Sequence, residues 1–286
     1  MSHATTDSSP VALVTGTSTG VGLHTALRLA QAGFRVLATM RDRSRQGVLL
    51  EGAAAAGVQL SVLALDVADP ASIRAGVAQA LAQAGRIDVL VNNAGAGFLG
   101  SLEQTSDEAL RRTMEVNFFG VWHTTQAVLP QMRERGSGRI ISVSSVGGLI
   151  GQPFNEAYCA AKFAVEGMME GFAPIARRLG LHVSLIEPGP INTQFVANVR
   201  AALATDAGFA PPYDAMLAAY TGASSQVFAK FGQSGDDIAQ IIVEVAQAKA
   251  PHLRYVTSDF ARQVVKPKVV DYSGDSVVEA FAARMG

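Results

Sequence analysis

The feature that most constrains the fold is a glycine-rich turn near the N-terminus, between an apolar run and an amphipathic segment. Residues 11–15 (Val-Ala-Leu-Val-Thr) predict a buried strand, and a helix is predicted from about Val21 to Gln31. Between them the spacing is Gly-x-x-x-Gly-x-Gly, at Gly16, Gly20 and Gly22. A strand, a glycine turn and a helix in this order are typical of a phosphate site at a helix N-terminus. The turn therefore predicts the first unit of a dinucleotide-binding α/β sheet.

A second motif predicts acid/base chemistry. Tyr158 and Lys162 lie four residues apart in a segment, residues 156–179, that is predicted to be helical, so they share one helix face. A free phenol has a pKa of about 10. Because a nearby cation favours the phenolate, Lys162 is expected to bring the pKa of Tyr158 closer to neutrality. Ser145 ends a predicted strand thirteen residues before Tyr158, where parallel sheets bind ligands, and its hydroxyl is expected to contact a substrate oxygen.

The second predicted strand, Arg35–Thr39, bears on which dinucleotide is bound. In NAD binders an acidic residue at the end of this strand accepts a hydrogen bond from the adenosine ribose. This chain instead has Met40 followed by Arg41 and Arg43, and a guanidinium suits a 2′-phosphate. With the hydroxyl of Ser18 as a further donor, NADP(H) is predicted as the preferred cofactor, with NAD(H) possible.

Two more predicted strands end in residues suited to cofactor contacts. The run 60–65 leads into Asp66 and Val67, a pair expected beside the adenine ring. The run 87–91 leads into Asn92-Asn93-Ala94-Gly95, whose small residues let a cofactor approach the backbone.

Taken together, these motifs resemble the classical short-chain dehydrogenase/reductases over about residues 11–194. The matching positions, in the order and spacing of that family, are Thr15 to Gly22, Asn92 to Gly95, Asn117, Ser145, Tyr158, Lys162, Pro188-Gly189 and Thr193. A narrower resemblance, to the group containing type 1 17β-hydroxysteroid dehydrogenase and the retinol dehydrogenases, rests on residues 38–42, 145–148, 153–155, 158–159, 187–190 and 253–255.

The family resemblance implies a role for each matching position. Tyr158 would be the catalytic acid/base, Lys162 would bind the nicotinamide ribose, and Ser145 would orient the substrate carbonyl. Asn117 would hold a water that links Lys162 to solvent. Ile191 and Thr193 would contact the nicotinamide carboxamide. The whole predicted cofactor site is Gly16, Ser18, Thr19, Gly20, Val21, Gly22, Arg41, Asp66, Val67, Asn93, Ala94, Gly95, Tyr158, Lys162, Pro188, Gly189, Ile191 and Thr193.

The predicted architecture is a single α/β domain of the Rossmann type, doubly wound around a seven-stranded, mainly parallel sheet with helices on both faces. Residues 1–9 are predicted to be a flexible tail, residues 10–260 the domain and residues 261–286 a C-terminal tail. Within the domain, residues 192–232 are expected to form a helical substrate lid, and their apolar side chains favour an apolar, possibly steroid-like, carbonyl or alcohol substrate.

Composition narrows the partners and the compartment. The formal net charge of −1 and the lack of a basic tract argue against nucleic acid and acidic membrane surfaces. The lone cysteine, Cys159, fits a reducing cytoplasm. Residues 1–9 are polar and show no apolar core of a signal peptide, and no His/Cys cluster indicates a metal site. A homodimer or homotetramer is expected by analogy with the family.

Two other functions stay open at this point. A non-catalytic NADP-sensing protein on the same fold would usually lack the tyrosine or the lysine, and this chain keeps both. An acyl or polyketide ketoreductase would favour a basic patch at the rim of the pocket. Residues 192–229 contain only one arginine, Arg200, which weighs against that substrate class.

Overall fold

The computed structural model describes residues 9–193 and 211–270, together with residue 283. Its core is a sheet of seven strands in the order β3-β2-β1-β4-β5-β6-β7. Every neighbouring pair is parallel. The predicted doubly wound sheet is confirmed, and it is parallel throughout. The strands are β1 (Val11–Thr15), β2 (Arg35–Met40), β3 (Ser61–Ala64), β4 (Val89–Asn92), β5 (Gly138–Val143), β6 (Leu181–Glu187) and β7 (Arg254–Val256).

Helices cover both faces of this sheet, as parallel strands require for their crossover connections. A five-residue π-helical turn, Glu115–Phe119, joins α4 to α5. The helices are α1 (Gly20–Gln31), α2 (Gly47–Ala55), α3 (Pro70–Ala84), α4 (Asp107–Met114), α5 (Gly120–Arg135), α6 (Glu156–Arg178), α7 (Tyr213–Phe231), α8 (Gly235–Gln247) and α9 (Asp259–Val270).

The alternation of side chains along the strands divides the apolar core into two layers. On β1, Leu13 belongs to the layer packed against α3, α5 and α6, whereas Val14 belongs to the layer packed against α1 and α8. Both side chains are completely buried. Because each face of the sheet is covered by apolar helix surfaces, the positions of the strand ends are fixed.

The strand order places a crevice at the carboxyl ends of β1 and β4. The chain runs outward from β1 to β2 and β3, and then crosses back to β4 on the other side of β1. The loops that follow these two strands leave in opposite directions, which opens the position where doubly wound sheets bind ligands.

In the C-terminal region, α7 and α8 precede β7 along the chain and α9 follows it. α7 lies within the predicted lid, whose residues 194–210 are outside the described part of the chain. α9 covers the first ten residues of the predicted C-terminal tail, and its Ala261 is completely buried. Within the described residues, no helix is long and apolar enough to cross a membrane.

Candidate active site

A cleft of about 1060 Å³ opens along the carboxyl edge of the sheet. Every residue that the sequence predicts to catalyse or to bind the cofactor lines it. These residues come from segments far apart in the chain, which meet because the parallel strands all end at this edge. The fold therefore assembles one continuous site from the predicted motifs.

The glycine turn at one side of the cleft depends on close backbone packing. Gly16 has φ +71°, and a Cβ there would lie 2.8 Å from the Cα of Ala94. A Cβ on Gly22 would lie 2.2 Å from the carbonyl oxygen of Gly16 and 2.3 Å from Nδ2 of Asn93. Such separations are far inside van der Waals contact, so the turn itself requires glycine at both positions. Asn93 stabilises this packing, because its Nδ2 donates to the carbonyl oxygens of Thr15 (2.9 Å) and Gly16 (3.1 Å).

The N-terminus of α1 has the properties of an anion site. Its N-cap residue, Thr19, makes no side-chain capping bond, and the first turn carries no acidic residue. Gly20, with φ +61°, and Val21 line the cleft at this helix end. The free N–H groups and the positive end of the helix dipole favour negative charge there. This end of the cleft therefore fits the pyrophosphate of a dinucleotide.

Two arginines line the cleft beyond β2, and only one of them was predicted to bind the cofactor. Arg41 lines it as predicted, but the second guanidinium is that of Arg45 and not that of Arg43. Asp42 lies between them. Hydrogen bonds from Ser44, followed by the charges of Arg45 and Arg41, hold the pKa of the Asp42 carboxyl below its usual range. Asp42 is thus an ionised carboxylate between the two arginines in the chain.

Asp66 and Val67 line the cleft at the end of β3. The Oδ1 atom of Asp66 accepts from the backbone N–H of Ala68 at 3.0 Å, and its own N–H donates to the hydroxyl of Ser72. The carboxyl is held by this turn beside the predicted adenine position.

At the opposite end of the cleft, Ser145 and Tyr158 are joined by a side-chain hydrogen bond. The Ser145 Oγ atom also accepts from the backbone N–H of Gly147 at 3.0 Å. Gly147 is constrained by the same contact, since a Cβ on it would lie 3.3 Å from the Tyr158 ring. These bonds hold the two hydroxyl groups together at this end of the cleft.

The pKa of Tyr158 differs from the sequence-based expectation. Burial raises the pKa of the phenol to about 12, and the hydrogen bond with Ser145 opposes this rise. The lowering expected from Lys162 is not seen in the protein alone, where removal of the phenolate from water dominates the pKa. The protein by itself therefore keeps Tyr158 protonated near neutral pH.

Lys162 is buried beneath Tyr158. Its Nζ donates to the carbonyl oxygen of Val143 at 2.9 Å and lies 5.7 Å from the centroid of the Tyr158 ring. Burial lowers the pKa of this ammonium group to about 8, and the charge of Glu166 opposes the decrease. Lys162 is thus a cation held in place by the end of β5, with a proton that it can give up near neutrality.

Asn117 is fixed by the π-helical turn between α4 and α5. Its Oδ1 accepts from the backbone N–H of Ala96 at 3.1 Å, and its Nδ2 donates to the carbonyl oxygens of Ala96 and Thr113. A Cβ on Gly95 would lie 3.0 Å from the Asn117 Oδ1 atom and 3.8 Å from the Lys162 Nζ atom. Asn117 and Lys162 therefore face each other across Gly95.

Sequence reasoning missed two kinds of site residue. The apolar wall of the cleft includes Leu99 and Val264, which come from two segments with no shared motif and lie beside Tyr220 of the predicted lid. Behind the reaction centre, the carboxyl groups of Glu166 and Glu187 are also buried. Glu166 was detectable, because it lies one helical turn after Lys162. Glu187 begins the segment 187–190 of the narrower resemblance, but nothing local indicates that its carboxyl is buried.

The fold and this site define a class: a dinucleotide-binding oxidoreductase whose cleft brings a tyrosine, a serine and a lysine together. The chain belongs to the short-chain dehydrogenase family, whose family model, described as short chain dehydrogenase, matches residues 10–204. Members of this family act as oxidoreductases on CH–OH groups, and this chain is such an oxidoreductase.

Individual relatives cover nearly the whole chain. The chain is 40% identical to human (Homo sapiens) 17-beta-hydroxysteroid dehydrogenase type 1 over 286 residues, which is 95% of this chain and 84% of the human protein. It is 39% identical to bovine (Bos taurus) retinol dehydrogenase 8, covering 95% of this chain and 89% of that protein. The narrower resemblance seen in the sequence is confirmed by these relatives.

Solved structures support the same assignment. A short-chain dehydrogenase from Streptomyces avermitilis superposes with a TM-score of 0.79 at 30% identity, covering 97% of this chain and 98% of that one. An actinorhodin polyketide ketoreductase solved with NADPH gives a TM-score of 0.75 at 30% identity, covering 88% and 97%. The cofactor of this chain is accordingly a nicotinamide dinucleotide.

Proposed function

We propose that the protein is an NADP(H)-dependent oxidoreductase that interconverts a ketone and a secondary alcohol on an apolar substrate. The observation that carries this proposal is the hydrogen-bonded pair Ser145 and Tyr158, at one end of a cleft whose other end holds two arginines. When bound, the nicotinamide supplies or accepts the hydride.

In the direction of reduction, Tyr158 acts as the acid. Its raised pKa keeps the phenol protonated, so its proton can pass to the carbonyl oxygen as the negative charge of the alcohol product develops there. Ser145 donates a hydrogen bond to the same oxygen and orients the carbonyl. Lys162, whose pKa is about 8, returns a proton toward the phenolate and is itself reprotonated from solvent through the water that we place near Asn117.

The proposed preference for NADP(H) rests on charge at the adenosine end. Arg41 and Arg45 are exposed and line the cleft, so both can contact a 2′-phosphate without any cost of burial. Arginine binds phosphate oxygens through charge-assisted hydrogen bonds from a planar group. Ser18 lines the cleft in the glycine turn and adds a hydroxyl donor.

An apolar substrate is supported by the lining of the cleft near Tyr158. Tyr220 packs against Phe154 with ring centroids 6.0 Å apart, beside Leu99 and Val264. Among the described lining residues, Lys162 is the only charged one outside the adenosine end. We propose that α7, within the predicted lid, provides part of this wall, and that the ligand is a bulky neutral carbonyl compound or alcohol.

A fluorescence titration with NADPH and NADH, combined with absorbance assays on a panel of apolar ketones and alcohols, tests the proposal. We expect tighter binding of NADPH than of NADH, together with turnover of at least one bulky ketone. Acyl thioesters added to the panel test the ketoreductase alternative. Binding of NADPH without turnover of any compound would support the sensing alternative.

We further propose that the protein forms a homodimer or homotetramer through α4, α5 and α6. Exposed apolar side chains on or beside α5 support this proposal: Phe119 is 39% exposed and Trp122 is 45% exposed. Ile175 on α6 is 57% exposed. Apolar groups exposed on helices that contact one another are a frequent mark of an interface.

The substitution Trp122→Glu is expected to reduce the molar mass measured by light scattering after size exclusion, because it places a charge in the proposed interface. Val48→Glu is the matched control, since Val48 is 61% exposed on α2. The control should keep the wild-type mass. A wild-type protein that is already monomeric at micromolar concentration would contradict the proposal.

The predicted cytoplasmic location remains part of this proposal. It is supported by Cys159, a buried free thiol next to the reaction centre, because thiols stay reduced in that compartment.

A further inference from the structure

A buried cluster of charged side chains lies behind the reaction centre, outside the cofactor and substrate cleft. Glu166 on α6 and Glu187 at the end of β6 have side chains that are 6% and 0% exposed. Both approach Arg254 on β7, whose Nε atom lies 3.2 Å from Oε2 of Glu166 and 3.1 Å from Oε1 of Glu187. The three residues are far apart in the sequence, and the β6–β7 pairing brings them together.

The charges in this cluster do not balance if both carboxyls are ionised. Arg254 supplies one positive charge, and its NH2 group is already engaged by Glu170, 2.8 Å away on the exposed surface of α6. Two buried carboxylates that share one guanidinium repel each other strongly in a medium of low dielectric constant. One of them is therefore expected to retain a proton, as in other close carboxyl pairs.

Hydrogen bonding leads to the same conclusion. Two buried carboxyl oxygens of the pair, Oε1 of Glu166 and Oε2 of Glu187, have no hydrogen-bond partner within the described residues, whereas Oε1 of Glu187 faces Nε of Arg254 at 3.1 Å. Carboxylates only accept, so a proton on one of them creates a donor among these acceptors. Consistent with this, burial and then the charge of Glu166 raise the pKa of Glu187 to about 8, and burial also raises the pKa of Glu166.

Glu166 brings the carboxyl pair close to both parts of the proposed catalytic machinery. Glu166 lies one helical turn after Lys162, and its charge raises the pKa of that ammonium group. A Cβ on Gly148 would lie 3.0 Å from Cγ of Glu166 and 2.7 Å from Oγ of Ser144, so the pair packs against the segment that carries Ser145.

We propose that Glu166 and Glu187 share one proton beside Arg254, and that this carboxyl pair positions Lys162 and the Ser145 segment for catalysis. The charged groups around the pair are Lys162 and Glu170 from α6 and Arg254 from β7. The segment 144–148 contributes no titratable side chain. The positioning role rests on the proposed function, whereas the shared proton does not.

The shared proton is tested by thermal unfolding between pH 5 and 9 at constant ionic strength. A carboxyl whose pKa is raised on folding keeps a proton that the unfolded chain releases, so its stabilising effect is present below pH 4.5 and is lost as pH rises through about 8. Glu187→Gln imitates the protonated acid. Over this range the Tm of the wild type should therefore fall by several degrees more than that of the Glu187→Gln or Glu166→Gln variant. Glu170→Gln, the matched control, should retain the wild-type slope.

The double variant Glu166→Gln/Glu187→Gln separates a shared proton from ordinary packing. Because each single variant leaves one carboxylate beside Arg254, the singles should keep a Tm near that of wild type at pH 7. The double variant leaves no buried anion, and its loss of Tm should exceed the sum of the two single losses. Two results would overturn the shared proton. One is a single variant whose Tm falls with pH as steeply as that of wild type. The other is a single variant that loses as much Tm as the double variant.

The positioning role is tested by the pH profile of kcat/KM for the best ketone. Glu166→Gln removes the anion nearest Lys162, so the alkaline limb should move to lower pH, and by more than in Glu187→Gln. Glu170→Gln should leave the limb in place, and coincident profiles for Glu166→Gln and Glu170→Gln would overturn the positioning role. Because thermal unfolding needs no substrate, the first experiment remains decisive even if the proposed reaction is wrong.

Discussion

Replacement of Tyr158 by phenylalanine is expected to lower kcat/KM for ketone reduction by about 10²- to 10⁴-fold, the usual contribution of a general acid. The phenyl ring keeps the packing of the buried side chain, so the Tm should change little. NADPH affinity, measured by fluorescence titration, should stay within about threefold of wild type, because the change removes one hydroxyl group from the cleft and leaves the glycine turn and the arginines intact.

Tyr255→Phe is the matched control for this experiment. The Tyr255 hydroxyl accepts from the backbone N–H of His252 at 2.8 Å, and this residue does not line the cleft. Its loss should cost a little stability and leave kcat/KM unchanged. If the Tyr158→Phe enzyme kept more than about a tenth of wild-type activity, another group would have to be the acid, contrary to the role proposed here.

Replacement of Arg41 by alanine is expected to weaken NADPH binding by about 10- to 100-fold, the range for a lost hydrogen bond to a charged group. NADH lacks the 2′-phosphate, so its affinity should change by less than about threefold. Parallel fluorescence titrations with both cofactors measure the ratio. Arg45→Ala should shift it in the same direction, and both effects should shrink as salt is added, because Arg41 and Arg45 are exposed.

Arg43→Ala provides the control for these variants. Arg43 is an equally exposed arginine of the same segment, and it does not line the cleft. It should leave both affinities near wild type. Equal weakening of NADPH and NADH by Arg41→Ala would mean that this guanidinium does not recognise the 2′-phosphate. A larger effect of Arg43→Ala than of Arg45→Ala on NADPH affinity would contradict the structure of this loop.

The sheet and the location of the cleft could be predicted because they depend on local patterns. Each buried strand is a short apolar run. A run such as residues 11–15 predicts a buried strand without reference to distant parts of the chain. The glycine turn specifies its own conformation, and the four-residue spacing of Tyr158 and Lys162 fixes their common face on α6. The matching order of these motifs was enough to predict the family.

The details of the site that were missed all depend on contacts between distant segments. The choice of Arg45 over Arg43 follows from the path of the short 3₁₀ helix Arg43–Gln46 after β2. Gly22 packs not only against Gly16 of its own turn but also against Asn93, seventy-one residues further along the chain. Neither contact has a signature in the local sequence.

The sequence by itself determined three features: the succession of apolar runs that form the strands, the glycine turn, and the spacing of the tyrosine and the lysine. All three are periodicities or conformational preferences of neighbouring residues. Only the tertiary structure decided the protonation of the site. Burial raises the pKa of Tyr158 to about 12. The packing of β6 and β7 behind α6 brings Glu166, Glu187 and Arg254 into contact. A pKa depends on removal from water and on the charges nearby, and both are fixed only when distant parts of the chain come together.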